Sequence, residues 1–405
     1  MNKHISSVLD PDRGRDLYKG ILYTGSFNGI FKDTKYYSEK EYLMAKKVLK
    51  IFGIAVGIIL ILVIVLVTFL TVTDYRPASI QPPEYLIAGG ESLSAEYIAA
   101  DGENASAKPS LTVFTWNIGY GGLGKDSDFF MDGGTMVDPP SQDIVETNLA
   151  AIQEFIETNQ ADMWLLQEID KNSSRTRGAD EFSQMTENFS GGAFAYNYKC
   201  KFVPFPWPPI GRVESGIASV SDLLIADGSA RISLPSPFKW PVSTANLKRC
   251  LLVTRTPIEG SDRELVFVNL HLEAYESGEG RIAQTKMLIE LMQTEYEKGN
   301  YVIAGGDFNQ SFPGSLEAYP IMDEEKWTPG IIDADALPDG WSILYDNSVP
   351  SCRLLDQPYN ENCQLYVIDG FITSPNVIVD SVETVNLDFQ NSDHNPVKLQ
   401  VHLAA

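Results

Sequence analysis

The chain has 405 residues, with 31 Lys plus Arg against 54 Asp plus Glu for a net charge of −23, and 44% of its residues are hydrophobic. That composition can bury a core, which excludes a disordered chain and a small disulfide-stapled domain; at about 150 residues per domain it allows two or three domains or one large α/β domain. The charge is uneven, +4 over residues 1–50 and −27 over the rest, and so acidic a body disfavours non-specific nucleic-acid binding while leaving open a nuclease whose bound metal reverses the field locally.

Residues 1–50 read as a cytoplasmic tail with turn formers and at most one juxtamembrane helix near 39–50. Residues 51–72, IFGIAVGIILILVIVLVTFLTV, carry no charge. A helix of that length reaches about 33 Å against about 30 Å of bilayer hydrocarbon, so the sequence predicts one transmembrane helix. The run is too long and starts too late for a cleaved signal peptide. Lys32, Lys35, Lys40, Lys46, Lys47 and Lys50 precede it and only Arg76 follows closely. By the positive-inside rule the expectation is a single-pass plasma-membrane protein, N-terminus cytoplasmic and the rest extracellular.

Residues 73–109 contain Pro77, Pro82, Pro83, Gly89, Gly90 and Pro109 and read as a linker or stalk. Cys200, Cys250, Cys352 and Cys363 all lie beyond the span, where disulfides persist. Cys352 and Cys363 close a short loop and are the better disulfide pair, with four free buried thiols as the alternative; the spacing matches no zinc pattern.

From residue 110 to 405 the texture changes. Short apolar runs (LTVFTWN, DMWLLQE, ELVFVNLH, NYVIAGGDFN, QLYVIDGFI) alternate with two helical patterns, 143–158 and 281–298. Such runs are buried strands, giving an α/β domain with helix-covered sheets. Strand after strand ends on a polar residue: Asn117, Glu168, His271, Asp307 with Asn309 beside it, and Asp369, while Asp393 and His394 precede the last run. One carboxylate at a strand end is an ordinary cap, but six such ends in one domain point to a ligand site, because rigid strands position side chains there. The set is rich in hard oxygen donors, which suit Mg²⁺ or Mn²⁺. No GxxxxGK loop or GxSxG elbow is present, which disfavours nucleotide-driven phosphoryl transfer and serine-hydrolase chemistry.

TWNIGYGG, LLQEID, NLHL, GGDFN, VIDGFI and SDHNP, in that order over 111–403, resemble the motif series of the endonuclease/exonuclease/phosphatase superfamily. The resemblance implies a four-layer α/β/β/α sandwich of two packed β-sheets and a metal-dependent phosphoric ester hydrolase. It implies Glu168 as principal metal ligand, with Asn117 and Asp393 helping. His394 would be the base that deprotonates water, Asp369 its orienting partner, and Asp307 would place the water or a metal. Asn309 and His271 would hydrogen-bond the phosphate oxygens. Arg281 and Gln284 match a common family pattern, with a helix-surface role as the alternative.

Where family members often carry an arginine after the strand GIASVS, this chain has Asp222; Arg212 is a substitute candidate. Tyr120 and Tyr275 lie near site motifs, though tyrosines flanking strands usually pack. The aromatic, proline-rich loops 202–210 (FVPFPWPPI) and 234–242 (LPSPFKWPV) either pack on themselves or dip Trp207 and Trp240 into a lipid headgroup layer. The expected activity is hydrolysis of a phosphodiester, nucleic acid or phospholipid/sphingolipid, with no obligate protein partner. The alternatives are a phosphomonoesterase acting on a small molecule such as an inositol phosphate, or a non-catalytic binding module on the same fold.

Overall fold

The computed structural model describes residues 28–100, 102–275 and 278–405; the tail expected over residues 1–27 lies outside them. Asn28–Thr73 is a single helix of 46 residues, so the short helix expected near 39–50 and the apolar run are continuous. Its stretch Glu39–Thr73 is long and apolar enough to cross a membrane, and its most apolar window is unburied. The chain divides into two compact units between Leu66 and Val67.

The second unit contains two seven-stranded mixed sheets. In the first the order is Ile80–Gln81, Ala230–Ser233, Cys250–Pro257, Glu264–His271, Tyr301–Asp307, Asp369–Thr373, Ser342–Leu344. In the second it is Val377–Thr384, Val397–Leu403, Leu111–Asn117, Met163–Asp170, Gly211–Ser221, Gly191–Val203, Tyr85–Ile87. Each sheet has one parallel pair at its centre, Leu111–Asn117 with Met163–Asp170 and Glu264–His271 with Tyr301–Asp307. A parallel pair needs a crossover, and the helices Gln142–Thr158 and Glu279–Glu297 supply them. The C-terminal ends of each pair therefore lie together.

Burial follows the two strand faces. Leu111, Val113, Met163, Leu165, Leu265, Phe267, Tyr301 and Ile303 form the apolar layer between the sheets. Phe114, Trp116, Trp164 and Leu166 face the helix Gln142–Thr158 through Val145, Leu149, Ile152 and Ile156, one helical stripe. That helix starts cleanly because the Ser141 side chain accepts from the Ile144 N–H. On the other face Leu288 and Met292 of Glu279–Glu297 pack on Val266, Val268, Val302 and Ala304. Each large apolar side chain taken fully from water contributes about 2–3 kcal/mol. The four-layer α/β/β/α sandwich is thus present, and the near-continuous apolar runs record strands covered on both sides.

Two expectations need correction. Residues 73–109 are no free linker: Ile80–Gln81 pairs with Ala230–Ser233, Tyr85–Ile87 pairs with Gly191–Val203, and Leu93 and Ala99 are buried. Its prolines mark breaks between short edge strands, which tolerate missing donors. All four cysteines are free and buried. Cys352 packs with Leu354, Tyr366 and Ile368, whereas the Cys363 thiol is directed to the Pro358 carbonyl, so the short loop does not become a disulfide.

Candidate active site

The strand period of two residues brings the polar ends together. Leu111, Val113, Thr115 and Asn117 share one parity, as do Leu265, Phe267, Asn269 and His271, and Tyr301, Ile303, Gly305 and Asp307; each series begins in the layer between the sheets. The apolar seam therefore ends, on one side, in a cluster of polar groups. Register places Asp307 opposite both His271 and Asp369. Only Gly fits at 306, where φ is +157° and a Cβ would lie 2.0 Å from the Leu270 carbonyl oxygen; the strands carrying His271 and Asp307 pass that closely.

Glu168 breaks the parity, since Met163, Leu165 and Gln167 are the inward series. A register shift between Leu166 and Ile169 and a left-handed φ of 54° turn it back toward the cluster. Such a conformation costs about 1–3 kcal/mol in a non-glycine residue. Asn309 is also left-handed, with φ 50°, in a turn where its N–H donates to Asp307 Oδ1 at 2.8 Å. Behind the cluster, Gln167 Nε2 donates to Asn269 Oδ1 at 2.8 Å, joining the two sheets through a buried amide pair.

The cluster is tight. His394 Nδ1 and Asp369 Oδ2 are 2.8 Å apart, and Ser351 Oγ donates to the same carboxylate oxygen at 2.7 Å. The other imidazole nitrogen faces Asp307 Oδ2 at 3.8 Å, Asp393 Oδ2 at 3.9 Å and Asn117 Nδ2 at 3.5 Å. Asn117 Nδ2 donates to Asp307 Oδ2 at 3.1 Å and Glu168 Oε1 at 3.2 Å. His271 Nε2 lies 3.5 Å from Asp307 Oδ2 and 4.0 Å from Glu168 Oε1. The turn bearing His394 is pinned by Ser392 Oγ, which donates to the Asn117 carbonyl, and by Trp116 Nε1, which donates to the His394 carbonyl. The structure thus brings together Asn117, Glu168, His271, Asp307, Asn309, Asp369, Asp393 and His394.

Burial and charge crowding perturb these groups. Burial, then the Asp369 charge, push Asp307 up to about 7. Asp393 is likewise pushed up to about 7, by burial and by Glu168 against the opposing pull of His394. Burial pulls His394 down, but Asp369, Cys352 and Asp393 outweigh it and hold its proton well above the ordinary range. Burial, with Arg249 and His394, keeps His271 well below it. Crowded, desolvated carboxylates of hard oxygen character fit a divalent cation, which would relieve their mutual repulsion. Asp307, Asp369 and His394 bring one ligand atom each within 4.8 Å of one another, but Asp369 Oδ2 is already committed to His394 and Ser351. Asn117 presents its nitrogen to the carboxylates, while its oxygen accepts from the Gly119 N–H at 3.1 Å. To act as a metal ligand it must turn its amide over.

Other residues resolve differently from their sequence alternatives. Arg281 and Gln284 are buried rather than on the helix surface. Arg281 Nη1 donates to the Asn309 carbonyl at 3.1 Å, and Gln284 Oε1 accepts from the Glu273 N–H at 2.9 Å. Arg212 is engaged with Asn172, at 2.8 Å to its carbonyl and 2.7 Å to its side chain. Asp222 follows a strand that runs antiparallel to Met163–Asp170, so it lies at the opposite end from the cluster, where it accepts from the Ser190 N–H; its identity has no bearing on the site. Tyr120 is buried beneath the Arg175 guanidinium, 3.5 Å from its ring centre. The Tyr275 hydroxyl donates to Asp132 at 2.7 Å.

Sequence reasoning missed the arginines whose charge bears on the cluster, Arg353 on Asp393 and, on His271, Arg249. Arg249 is 4% exposed, its Nε lies 3.8 Å from Glu273 Oε2, and its Nε and Nη1 have no hydrogen-bond partner. It directly precedes the strand Cys250–Pro257, and no motif in the sequence marks it. Ser351, 18 residues before the aspartate it holds, is equally silent.

No protein-family model matches the chain, and no curated protein matches it. Among solved structures it is similar to an endonuclease/exonuclease/phosphatase from Beutenbergia cavernae, 17% identical over 74% of this chain and 72% of that one with a TM-score of 0.52. It is also similar to an endonuclease/exonuclease/phosphatase from Bacteroides vulgatus (17% identity, 73% and 100% covered, TM-score 0.47) and to the human Nocturnin catalytic domain with bound sulfate (17% identity, 73% and 94% covered, TM-score 0.45).

Proposed function

We propose that this chain, which has the endonuclease/exonuclease/phosphatase fold, is a membrane-anchored, divalent-metal-dependent phosphodiesterase whose substrate is a nucleic acid or a membrane phospholipid. The observation that carries the reading is the buried His394–Asp369 pair, 2.8 Å apart, facing two further carboxylates, Asp307 and Asp393, at the end of the inter-sheet seam. That is the arrangement hydrolysis requires: a base with an oriented proton path, charge to hold a cation, and donors for a phosphate.

His394 Nε2 takes a proton from water while Asp369 keeps the Nδ1 proton in place and offsets the charge that develops on the ring. The water oxygen bonds to phosphorus, one ester P–O bond breaks, and the leaving oxygen takes a proton from solvent while His394 releases its own to solvent, giving a phosphomonoester and an alcohol. Asn309 Nδ2 and neutral His271 donate to the non-bridging oxygens. Arg249, with two buried N–H groups unpaired, supplies a cationic contact to the same anion. Glu168, Asp393 and Asp307 would hold Mg²⁺ or Mn²⁺, with Asn117 after an amide flip, and such an ion would supply Lewis-acid stabilisation of the phosphate charge. The apolar helix within Glu39–Thr73 is the anchor in this reading, and the lysines preceding it support a cytoplasmic N-terminus and a catalytic unit outside the plasma membrane.

The test is hydrolysis of bis-p-nitrophenyl phosphate, DNA, RNA and phospholipid by the full chain in nanodiscs, with Mg²⁺ or Mn²⁺ and with chelator. His394→Ala and Glu168→Ala should each lose at least about 100-fold, and Arg249→Ala about 10-fold, in kcat/KM. Activity that survives chelation, or that persists in either of the first two variants, would refute the reading.

A further inference from the structure

Two loops leave the sandwich at its active-site end. Met163–Asp170 and Gly191–Val203 both run antiparallel to Gly211–Ser221, with Asp170 and Tyr198 both opposite Ser215, so the loop after Val203 leaves on the Glu168 side. Cys250–Pro257 runs antiparallel to Glu264–His271, so the loop before Cys250 leaves on the His271 side. The loops are neighbours: Tyr198 Oη donates to the Ala245 carbonyl at 3.1 Å, and Lys248 N donates to the Asn197 carbonyl at 2.6 Å. Both border the site. Phe205 meets Phe130, two residues before the Asp132 that holds Tyr275, and the Pro235 carbonyl accepts from Gln284.

Their tips are not packed on themselves. Trp207 is 89% exposed, Phe205 71%, Trp240 64% and Val242 58%. Large apolar side chains held this openly on two neighbouring loops mark an interaction surface. What they meet is indicated by the end of the apolar helix. Trp240 Nε1 donates to Thr71 Oγ1 at 3.1 Å, in the helix's last turn, and Lys248 Nζ lies 3.3 Å from Asp74. The helix's apolar run closes at Val72. A tryptophan bonded one residue before that point sits at the level of the membrane interface, where tryptophan concentrates. Residues 199–249 also hold seven Lys plus Arg against three acidic residues in an otherwise strongly acidic body, and Lys201 and Lys239, beside the two loops, are exposed.

We infer that Phe205, Trp207, Trp240 and Val242 form a rim that inserts into the headgroup layer of the bilayer crossed by the chain's own helix, so that the candidate site opens onto that membrane and its substrate is a phospholipid phosphodiester there. This rests on the proposed hydrolase and anchor; the reaction is the water attack already described, with one P–O ester bond of the lipid cleaved. A nucleic acid, by contrast, would have to enter between the rim and the bilayer against the charge of the body.

The test uses the full chain in phosphatidylcholine nanodiscs containing doxyl-labelled lipid. An environment-sensitive fluorophore is placed at Trp207→Cys and, as control, at Asp262→Cys, exposed at the opposite end of the sheet; the native cysteines are buried. Blue-shifted, lipid-quenched emission at position 207 with none at 262 is expected, and equal quenching at the two would overturn the rim. In the same discs, Trp207→Ser with Trp240→Ser should lower the ratio of phospholipid to bis-p-nitrophenyl phosphate turnover about 10-fold. Cleavage of DNA or RNA with no cleavage of lipid would overturn the lipid assignment. Quenching at 207 without hydrolysis of any substrate would support the rim and overturn the hydrolase reading, so the two fail separately.

Discussion

At the scale of single residues, the site is governed by what burial does to charge. His394 and His271 lie in one cluster and are driven in opposite directions, His394 up by Asp369 and its neighbours and His271 down by burial. One imidazole thus holds a proton firmly while the other stays neutral and can only share one, a division of labour set by surroundings and not by residue type. Asp369→Asn removes the main charge that raises His394. Because a base works in its unprotonated form, activity rises with pH through the His394 pKa, and the acid limb of the pH profile of kcat/KM should move to lower pH in this variant. The plateau should fall about 100-fold as the imidazole loses its orienting partner. A variant with the limb unmoved would mean that another group titrates. The candidate residues themselves were legible in the sequence because each ends an apolar run, lies beside such an end, as Asn309 does, or precedes one, as Asp393 and His394 do. Arg249 and Ser351 were not, since neither stands at such an end and each is brought in by long-range packing.

At the scale of elements, the helix Glu279–Glu297 does two jobs. Its Arg281 and Gln284 brace the Asn309 and Glu273 backbone at one end. At the other end Glu295, 3% exposed, accepts two bonds from Arg255 at 2.7 and 2.9 Å and one from Lys298. Burial alone would raise the Glu295 pKa, but these partners hold it down at about 2. A depressed carboxylate contributes stability that is fully present above its unfolded value, near 4.3, and is lost as pH falls toward the folded one. Glu295→Gln should therefore destabilise the chain at neutral pH by about 2 kcal/mol and flatten the loss of stability between about pH 5 and pH 2, as read by denaturant unfolding at several pH values. An unchanged acid limb would put the linkage elsewhere. The strands that bear the polar ends were legible as apolar runs and both crossover helices from periodicity; strands such as Gly191–Val203 and Cys250–Pro257 were not read, nor were the edge strands in residues 73–109, because two or three residues between prolines carry no period.

At the scale of the whole molecule, the four layers pack two βαβ units face to face, and the carboxylates meet where the C-terminal ends of the two parallel pairs come together. Asp307 and Asp393, both pushed up to about 7, must lose their protons before they can hold a cation. Mg²⁺ or Mn²⁺ should therefore raise the melting temperature more at about pH 8 than at about pH 6, by the equivalent of about 2.7 kcal/mol at a hundred-fold excess over Kd, and Glu168→Gln should abolish the rise. An equal rise in that variant would place the ion elsewhere. The sequence alone determined the apolar helix, the alternation of buried strands with crossover helices, and the polar residue at each strand end, because these depend on spacing along one chain. Only the tertiary structure decided that Glu168 turns inward through a bulge, that Asn117 shows its nitrogen to the carboxylates, that the charge of Arg249 and not of Arg212 bears on His271, and that Trp240 is bonded to the last turn of the helix. Each of those depends on distances between residues far apart in sequence, which are fixed when the two sheets close on each other.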